Sequence, residues 1–213
     1  MARLKNGILG GFSGAIGDVV GYIRYGKAYV KKKSKKSEVK PSPAQLVHRQ
    51  NMKVVNSFIN TTTEFVRIGF ALEAKFKSHS ANASAKSYQL KNALTGEYPE
   101  ISIDYSRALL SKGQMHPPLN ASALPMPGGI HFSWEVSRQT EVYQSRSRAM
   151  ILVHCPELGK SFLNLNAARI TERSDFLPLP VEFIGQVLHA YISFRTDNQK
   201  KISNSTYIGP IYF

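Results

Sequence analysis

A single cysteine, Cys155, and a single tryptophan, Trp134, stand among 213 residues. One thiol can form no intrachain disulfide and can build no thiolate metal cluster. Long apolar runs are missing as well. No stretch approaches the ~20 apolar residues of a membrane-spanning helix, so no membrane span is expected. Acidic residues are scarce where the basic ones gather. Residues 1–53 hold twelve Lys/Arg against Asp18 and Glu38, a net of +10, whereas residues 54–213 hold sixteen against twelve, a net of +4. That asymmetry predicts a surface that attracts polyanions at moderate salt: nucleic acid, anionic lipid or an acidic protein. The remaining composition, 42% hydrophobic and 20% charged, is that of a globular chain able to bury one ordinary core or two small ones.

Met1-Ala2-Arg3-Leu4-Lys5 ahead of an apolar stretch has the outline of a signal peptide. Gly7 to Gly17, however, contains five glycines and runs straight into Asp18, which breaks any continuous helix-forming segment. The expected location is cytoplasmic, with a virion component as the other reading.

From Val19 the pattern turns to a β-hairpin. Val19 to Tyr25 and Ala28 to Lys33 flank Gly26-Lys27, a pair suited to a type II′ turn. That register sets Arg24 opposite Tyr29, Tyr22 opposite Lys31 and Ile23 opposite Val30. One face then carries Tyr22, Arg24, Tyr29 and Lys31, and the other Ile23, Tyr25 and Val30. A two-stranded hairpin is marginal alone, so its apolar face calls for a partner, in its own chain or in another. Lys31 to Lys40 reads as a charged linker. A helix follows, with Ser42 as N-cap, Pro43 at the first position and Gln45 closing a capping box. Val47, Val54, Phe58 and Phe65, flanked by Val55, Ile59 and Val66, form one apolar stripe at helical period. A break is expected near Asn60, with Thr61-x-x-Glu64 as a new cap. A second helical piece spans about Asn82 to Leu94.

Beyond Ile101 the character is all β: Ile101 to Tyr105, Ile130 to Val136, Met150 to Cys155, Ser161 to Leu165, Val187 to Phe194 and Thr206 to Phe213. The fold class expected is α+β: a hairpin and helices in residues 1–100, then an antiparallel immunoglobulin- or fibronectin type III-like β-sandwich in residues 101–213, with Trp134 and Tyr191 in its core.

Several short motifs are familiar. They are Gly10-Gly11-Phe12-Ser13-Gly14 with Gly17-Asp18-Val19-Val20-Gly21, Gly26-Lys27, Pro41-Ser42-Pro43-Ala44-Gln45, Lys91-Asn92-Ala93-Leu94-Thr95-Gly96, Ile103-Asp104-Tyr105-Ser106, Leu179-Pro180, His189-Ala190-Tyr191 and Ser203-Asn204-Ser205. Together they resemble an uncharacterised bacterial family of proteins of roughly 200 residues, a domain of unknown function. The resemblance covers nearly the whole chain and implies no catalytic residues. The basic hairpin and the helix start are also similar to segments of phage and mobile-element proteins.

Gly21 to Ala28 is one residue short of a phosphate-binding P-loop: Ala28 stands where a Ser/Thr would hold Mg²⁺, and a hairpin surrounds it instead of a strand, loop and helix. It reads as a turn, and no cofactor is expected. The histidines at 48, 79, 116, 131, 154 and 189 never fall at metal-ligand spacing. His131, His154 and His189 sit on three expected strands, but neighbouring His154 and Cys155 would point to opposite faces, so no metal site is expected. Ser111, Ser133 and Ser193 lack nucleophile-elbow glycines, and Glu97, Glu100 and Asp104 form no pair in contrasting environments. The reading is therefore not an enzyme.

The basic segment carries the functional expectation. Arg24, Lys27, Lys31, Lys32, Lys33, Lys35 and Lys36 are candidate polyanion-binding residues, and Tyr22 and Tyr29 candidate stacking platforms. The leading expectation is a structural or interaction protein that docks, through the hairpin and helical stripe, on a protein partner or on a copy of itself. The alternative is a non-specific nucleic-acid binder.

Overall fold

In a computed structural model of the chain, residues 3–4, 10–24, 26–35, 39–75, 77, 79–138 and 146–213 are described. They fall into two compact units, Met1–Ser42 and Pro43–Phe213.

The first unit is an antiparallel sheet in chain order: β1 (Arg3–Leu4), β2 (Phe12–Ile16), β3 (Val19–Arg24) and β4 (Lys27–Lys32). The expected hairpin is therefore the second half of a larger meander. Two-residue connections set it. Gly17-Asp18 links Ile16 to its partner Val19, with Gly17 at φ 56°, and residues 25–26 link Arg24 to Lys27, with Gly26 at φ 76°. The turn thus sits one residue earlier than Gly26-Lys27. The register changes by two: Arg24 pairs with Lys27 and Tyr22 with Tyr29. A two-residue shift leaves every side chain on its expected face, because the strand period is two. β2 was illegible because glycine lowers strand propensity. Here its absence of a Cβ is needed. A Cβ on Gly21 would lie 2.5 Å from the Phe12 carbonyl oxygen, and one on Gly11 would lie 2.4 Å from the Ala28 Cβ.

The second unit opens with α1 (Pro43–Thr61), starting at the proline placed first by the sequence. Its stripe divides. Val55, Phe58 and Ile59 are buried, and Phe65 and Val66 continue the burial in α2 (Thr63–Gly69), but Val47 is exposed. The helix breaks at Thr62, and Thr61 does not recap it. The hydroxyls of Thr61, Thr62 and Thr63 instead donate back to the carbonyls of Phe58, Phe58 and Ile59 at 2.8, 3.2 and 2.9 Å. Such back-bonding competes with the helical ladder. A short α3 (Ala71–Ala74) leads to α4 (Ala81–Asn92), whose cap is Ser80: its Oγ accepts from the Ala83 N–H at 3.2 Å.

Strands β5 (Leu94–Thr95) and β6 (Ser102–Ile103) pair with each other. Two larger antiparallel sheets follow. One holds β7 (Leu119–Met126), β8 (Gly129–Glu135) and β11 (Ser174–Pro178) in the order β11-β8-β7. The other holds β9 (Arg148–Cys155), β10 (Lys160–Asn164), β12 (Val187–Arg195) and β13 (Thr206–Tyr212) in the order β10-β9-β12-β13. β7 and β11 escaped the sequence reading. Both are edge strands carrying prolines, Pro125 and Pro178, which a central strand would not tolerate.

β9 explains why the second unit coheres. Ala149, Ile151, Val153 and Cys155 enter one core with Phe132, Trp134 and Phe194, while Met150 and Leu152 enter another with Tyr191, Phe58, Phe65 and Ala85. Both faces are buried, which is why the strand reads as an unbroken apolar run. The boundary expected near residue 100 falls inside that second core, which the helices share with the sheet. The compact units divide at Ser42/Pro43 instead.

Candidate functional site

Strand register sorts the first unit into two unlike faces, because directly opposed residues project to the same side. One face carries Val20, Tyr22 and Arg24 opposite Lys31, Tyr29 and Lys27. The Tyr22 and Tyr29 rings stack at 5.6 Å and 18°, and the Lys31 ammonium lies 5.9 Å from the Tyr22 ring centre. The other face carries Val19, Gly21 and Ile23 opposite Lys32, Val30 and Ala28, joined by Ile16 opposite Val19. Ile16, Val19, Ile23 and Val30 are 55%, 38%, 41% and 63% exposed. Among the described residues of this unit no hydrophobic side chain is fully buried.

The nine sequence-selected residues therefore separate. Arg24, Lys27 and Lys31 share a face with Tyr22 and Tyr29, and Lys32 projects to the apolar face. Lys33 extends the ladder, its N–H donating to the Asp18 carbonyl at 2.7 Å, and Lys35 follows as an exposed residue. Lys36, and Tyr25 of the expected apolar face, lie outside the described residues. The P-loop-like stretch is the β3–β4 connection.

In the second unit, His154 and His189, two of the three histidines on expected strands, are direct cross-strand partners, and sequence reasoning missed the residues gathered around them. His189 stacks on Tyr105 at 3.9 Å and its Nδ1 lies 2.8 Å from the Tyr207 hydroxyl. His154 packs edge-on to Phe58 and its Nδ1 lies 2.9 Å from Ser161 Oγ. The Ser161 pairing was readable: Pro156 to Gly159 is a four-residue loop, which closes Cys155 on Lys160 and sets His154 opposite Ser161. The pair belongs to a hydrogen-bonded cluster with Thr61. Thr61 donates its only hydroxyl proton to the Phe58 carbonyl, and Ser161 donates its own to Thr61 Oγ1 at 3.0 Å. His154 Nδ1 also lies 3.3 Å from Thr61 Oγ1, and its role as donor or acceptor toward both hydroxyls follows its tautomer. Burial first, then the neighbouring His189, pushes His154 down to about 4, so the ring is neutral at physiological pH. His189 is also lowered by burial, and burial raises the Tyr105 and Tyr207 hydroxyls. Phe58, Tyr105, His154 and Lys53 line a cleft of about 340 Å³.

The remaining candidates are dispersed. His131 lies in the other sheet, and Cys155 enters the inter-sheet core while His154 faces the helices. Among the described residues no three His, Cys, Asp or Glu side chains are grouped to hold a metal ion. Ser111 Oγ donates to the Ser203 carbonyl, Ser133 pairs with Ser122, and Ser193 is buried. Asp104 accepts from the Ser106 N–H and hydroxyl, which lower its carboxyl.

The model of a family of unknown function (DUF6266) matches residues 11–209. The chain belongs to DUF6266. No curated protein matches it. The residues that carry the DUF6266 likeness in the second unit act as fasteners. Ser205 Oγ accepts from the Leu110 N–H, Asn204 Oδ1 from the Gly113 N–H, and the Tyr191 hydroxyl donates to the Tyr105 carbonyl at 2.7 Å. In this DUF6266 chain those motifs hold segments together, while the exposed chemistry lies elsewhere. Among the described residues no helix is long and apolar enough to cross a membrane.

Proposed function

We propose that this DUF6266 chain is a non-enzymatic structural or interaction protein that docks through the apolar face of its N-terminal sheet. One observation carries the reading: Ile16, Val19, Ile23 and Val30 share one face and stay exposed. A sheet normally buries such a face to be stable. The outer edge strand β4 bears Lys27, Lys31 and Lys32, which discourage edge-to-edge pairing and leave the face as the better contact. The partner is a second protein or another copy of the chain. The net +10 of residues 1–53 repels a second copy at low salt and favours an acidic partner. The helical stripe contributes less than its sequence promised, since only its Val47 end is exposed.

Strand order supports the finer fold reading. Counted along the chain from β7, strands 1, 2 and 5 form one sheet and strands 3, 4, 6 and 7 the other, a distribution used by fibronectin type III-like sandwiches. Such domains serve many functions, virion parts among them, so the fold names none of them.

The opposite face favours a second reading, nucleic-acid binding. Tyr22 and Tyr29 sit beside Arg24, Lys27 and Lys31, as stacking platforms sit beside phosphate contacts in single-strand binders.

Ile23→Ser with Val30→Ser tests the docking face. The double variant is expected to melt with wild type, bind less of a fluorescent hydrophobic probe, and lose concentration-dependent association in sedimentation. Identical probe binding and sedimentation in both proteins would overturn the proposal.

A further inference from the structure

The second unit carries little net charge in sequence, yet it concentrates its lysines. Lys75, Lys112, Lys200 and Lys201 line a groove of about 730 Å³, and Lys77 and Lys91 line a hollow of about 290 Å³ that shares Lys112 and Glu73 with it. These residues come from four separate stretches of chain, so no sequence run announces the cluster. The fold brings them together by close backbone approaches. A Cβ on Gly113 would lie 2.0 Å from the Ile202 carbonyl oxygen, and the Lys112 N–H donates to the Gly69 carbonyl at 3.0 Å. Lys112 is thereby fixed beside the 198–202 loop.

Among the described residues Glu73 is the one carboxylate lining either hollow, and it is already engaged by Lys77 and, at 3.3 Å, by Lys112. Its carboxyl is lowered, first through the Lys77 hydrogen bond. A buried guanidinium lines a small recess that shares residues with the groove. Arg195 is 8% exposed and lines a small recess together with Leu72, Gln199, Lys201 and Ile202, all of which also line the groove except Arg195 itself. Its Nη2 donates to the Leu165 carbonyl and to Asn166 Oδ1, its Nε has no hydrogen-bond partner, and among the described residues no carboxylate forms an ion pair with it. Burial lowers the Arg195 guanidinium, and the nearby Asp197 carboxylate works in the opposite direction.

We propose that this groove binds the phosphate backbone of a single-stranded nucleic acid without reading its bases. Lysine is the residue of the rim, and its ammonium meets phosphate as a point charge from any direction. The surface lies in the second unit, so the inference is independent of the apolar docking face and of the Tyr22/Tyr29 face.

The test is fluorescence anisotropy of the full chain with a labelled oligothymidine, titrated across salt. Lys112→Gln with Lys200→Gln and Lys201→Gln is expected to weaken low-salt binding about tenfold and to flatten the slope of log K against log salt by about 2, at ~0.7 per lost single-strand contact. A control, Lys53→Gln with Arg67→Gln and Lys86→Gln, removes equal charge elsewhere and is expected to change the slope little. Thermal melts confirm that both triple variants fold. Equal losses in the two triples would reduce the effect to bulk charge and overturn the proposal. So would undiminished binding by the groove variant alongside abolished binding by Arg24→Gln/Lys27→Gln/Lys31→Gln, which would move the site to the N-terminal face. Competition by polyglutamate as effective as by unlabelled oligothymidine would also sink it.

Discussion

The two units of this chain treat apolar surface in opposite ways. Pro43–Phe213 buries Phe58, Phe65, Phe132, Tyr191 and Phe194 in two cores set on either side of β9 and β12. Met1–Ser42 leaves Ile16, Val19, Ile23 and Val30 exposed together on one face. The first arrangement holds itself together by burial, at roughly 1.5–3 kcal/mol for each large side chain. The second holds a shape through strand pairing and turns, with its apolar side exposed. The lesson is that β-pattern alone does not distinguish a strand with a covered apolar face from one whose apolar face stays exposed. What lies over it does.

Phe65→Ala sharpens that contrast most. Removing a fully buried ring is expected to cost ~3–5 kcal/mol in denaturant melts. Ile23→Ala, an apolar truncation in the other unit, is expected to stay within about 0.5 kcal/mol of wild type. If the two cost the same, the N-terminal sheet has a core of its own and the comparison fails.

Acid gives a second, smaller separation. His154 is held at about 4 when folded against 6.5 in its ordinary state. Between those values the unfolded chain binds a proton that the folded chain refuses, so stability is complete above about pH 6.5 and declines as the pH falls to about 4. For His154 this amounts to about 3 kcal/mol, and His189, lowered in the same direction, adds to it. Melts of His154→Gln should depend less steeply on pH across that window than wild type. A parallel profile would mean that the ring is not buried as a neutral base.

The smallest expected effect is local. Ser80→Ala removes the cap of α4 and should cost ~1 kcal/mol. An unchanged melt would show that packing of α4, rather than its cap, fixes its start.

Legibility followed locality. The Gly26 turn, the start of α1 at Pro43, and the strands through Trp134, Leu152 and Tyr191 were all written in short patterns of residue type. The faces of the hairpin were legible too, and survived a wrong turn because a shift of two preserves them. β2 was hidden by its glycines, and β7 and β11 by prolines that only an edge position excuses. The N-terminal basic and aromatic residues were visible as a run. The Lys75, Lys112 and Lys201 groove was not, because its members are far apart in sequence.

By itself, then, the sequence determined the α+β class, the lopsided charge and the periodicity of its elements, since each depends on residue type and near-neighbour spacing. Tertiary structure alone decided where the chain divides. Composition changes near residue 100, but β9 and β12 are apolar on both faces, and the helices cover the side that the second sheet leaves open. It alone also decided that His154 meets Ser161 and Thr61 together. That cluster depends on Thr61 and the Phe58 carbonyl, which arrive from a helix about a hundred residues away.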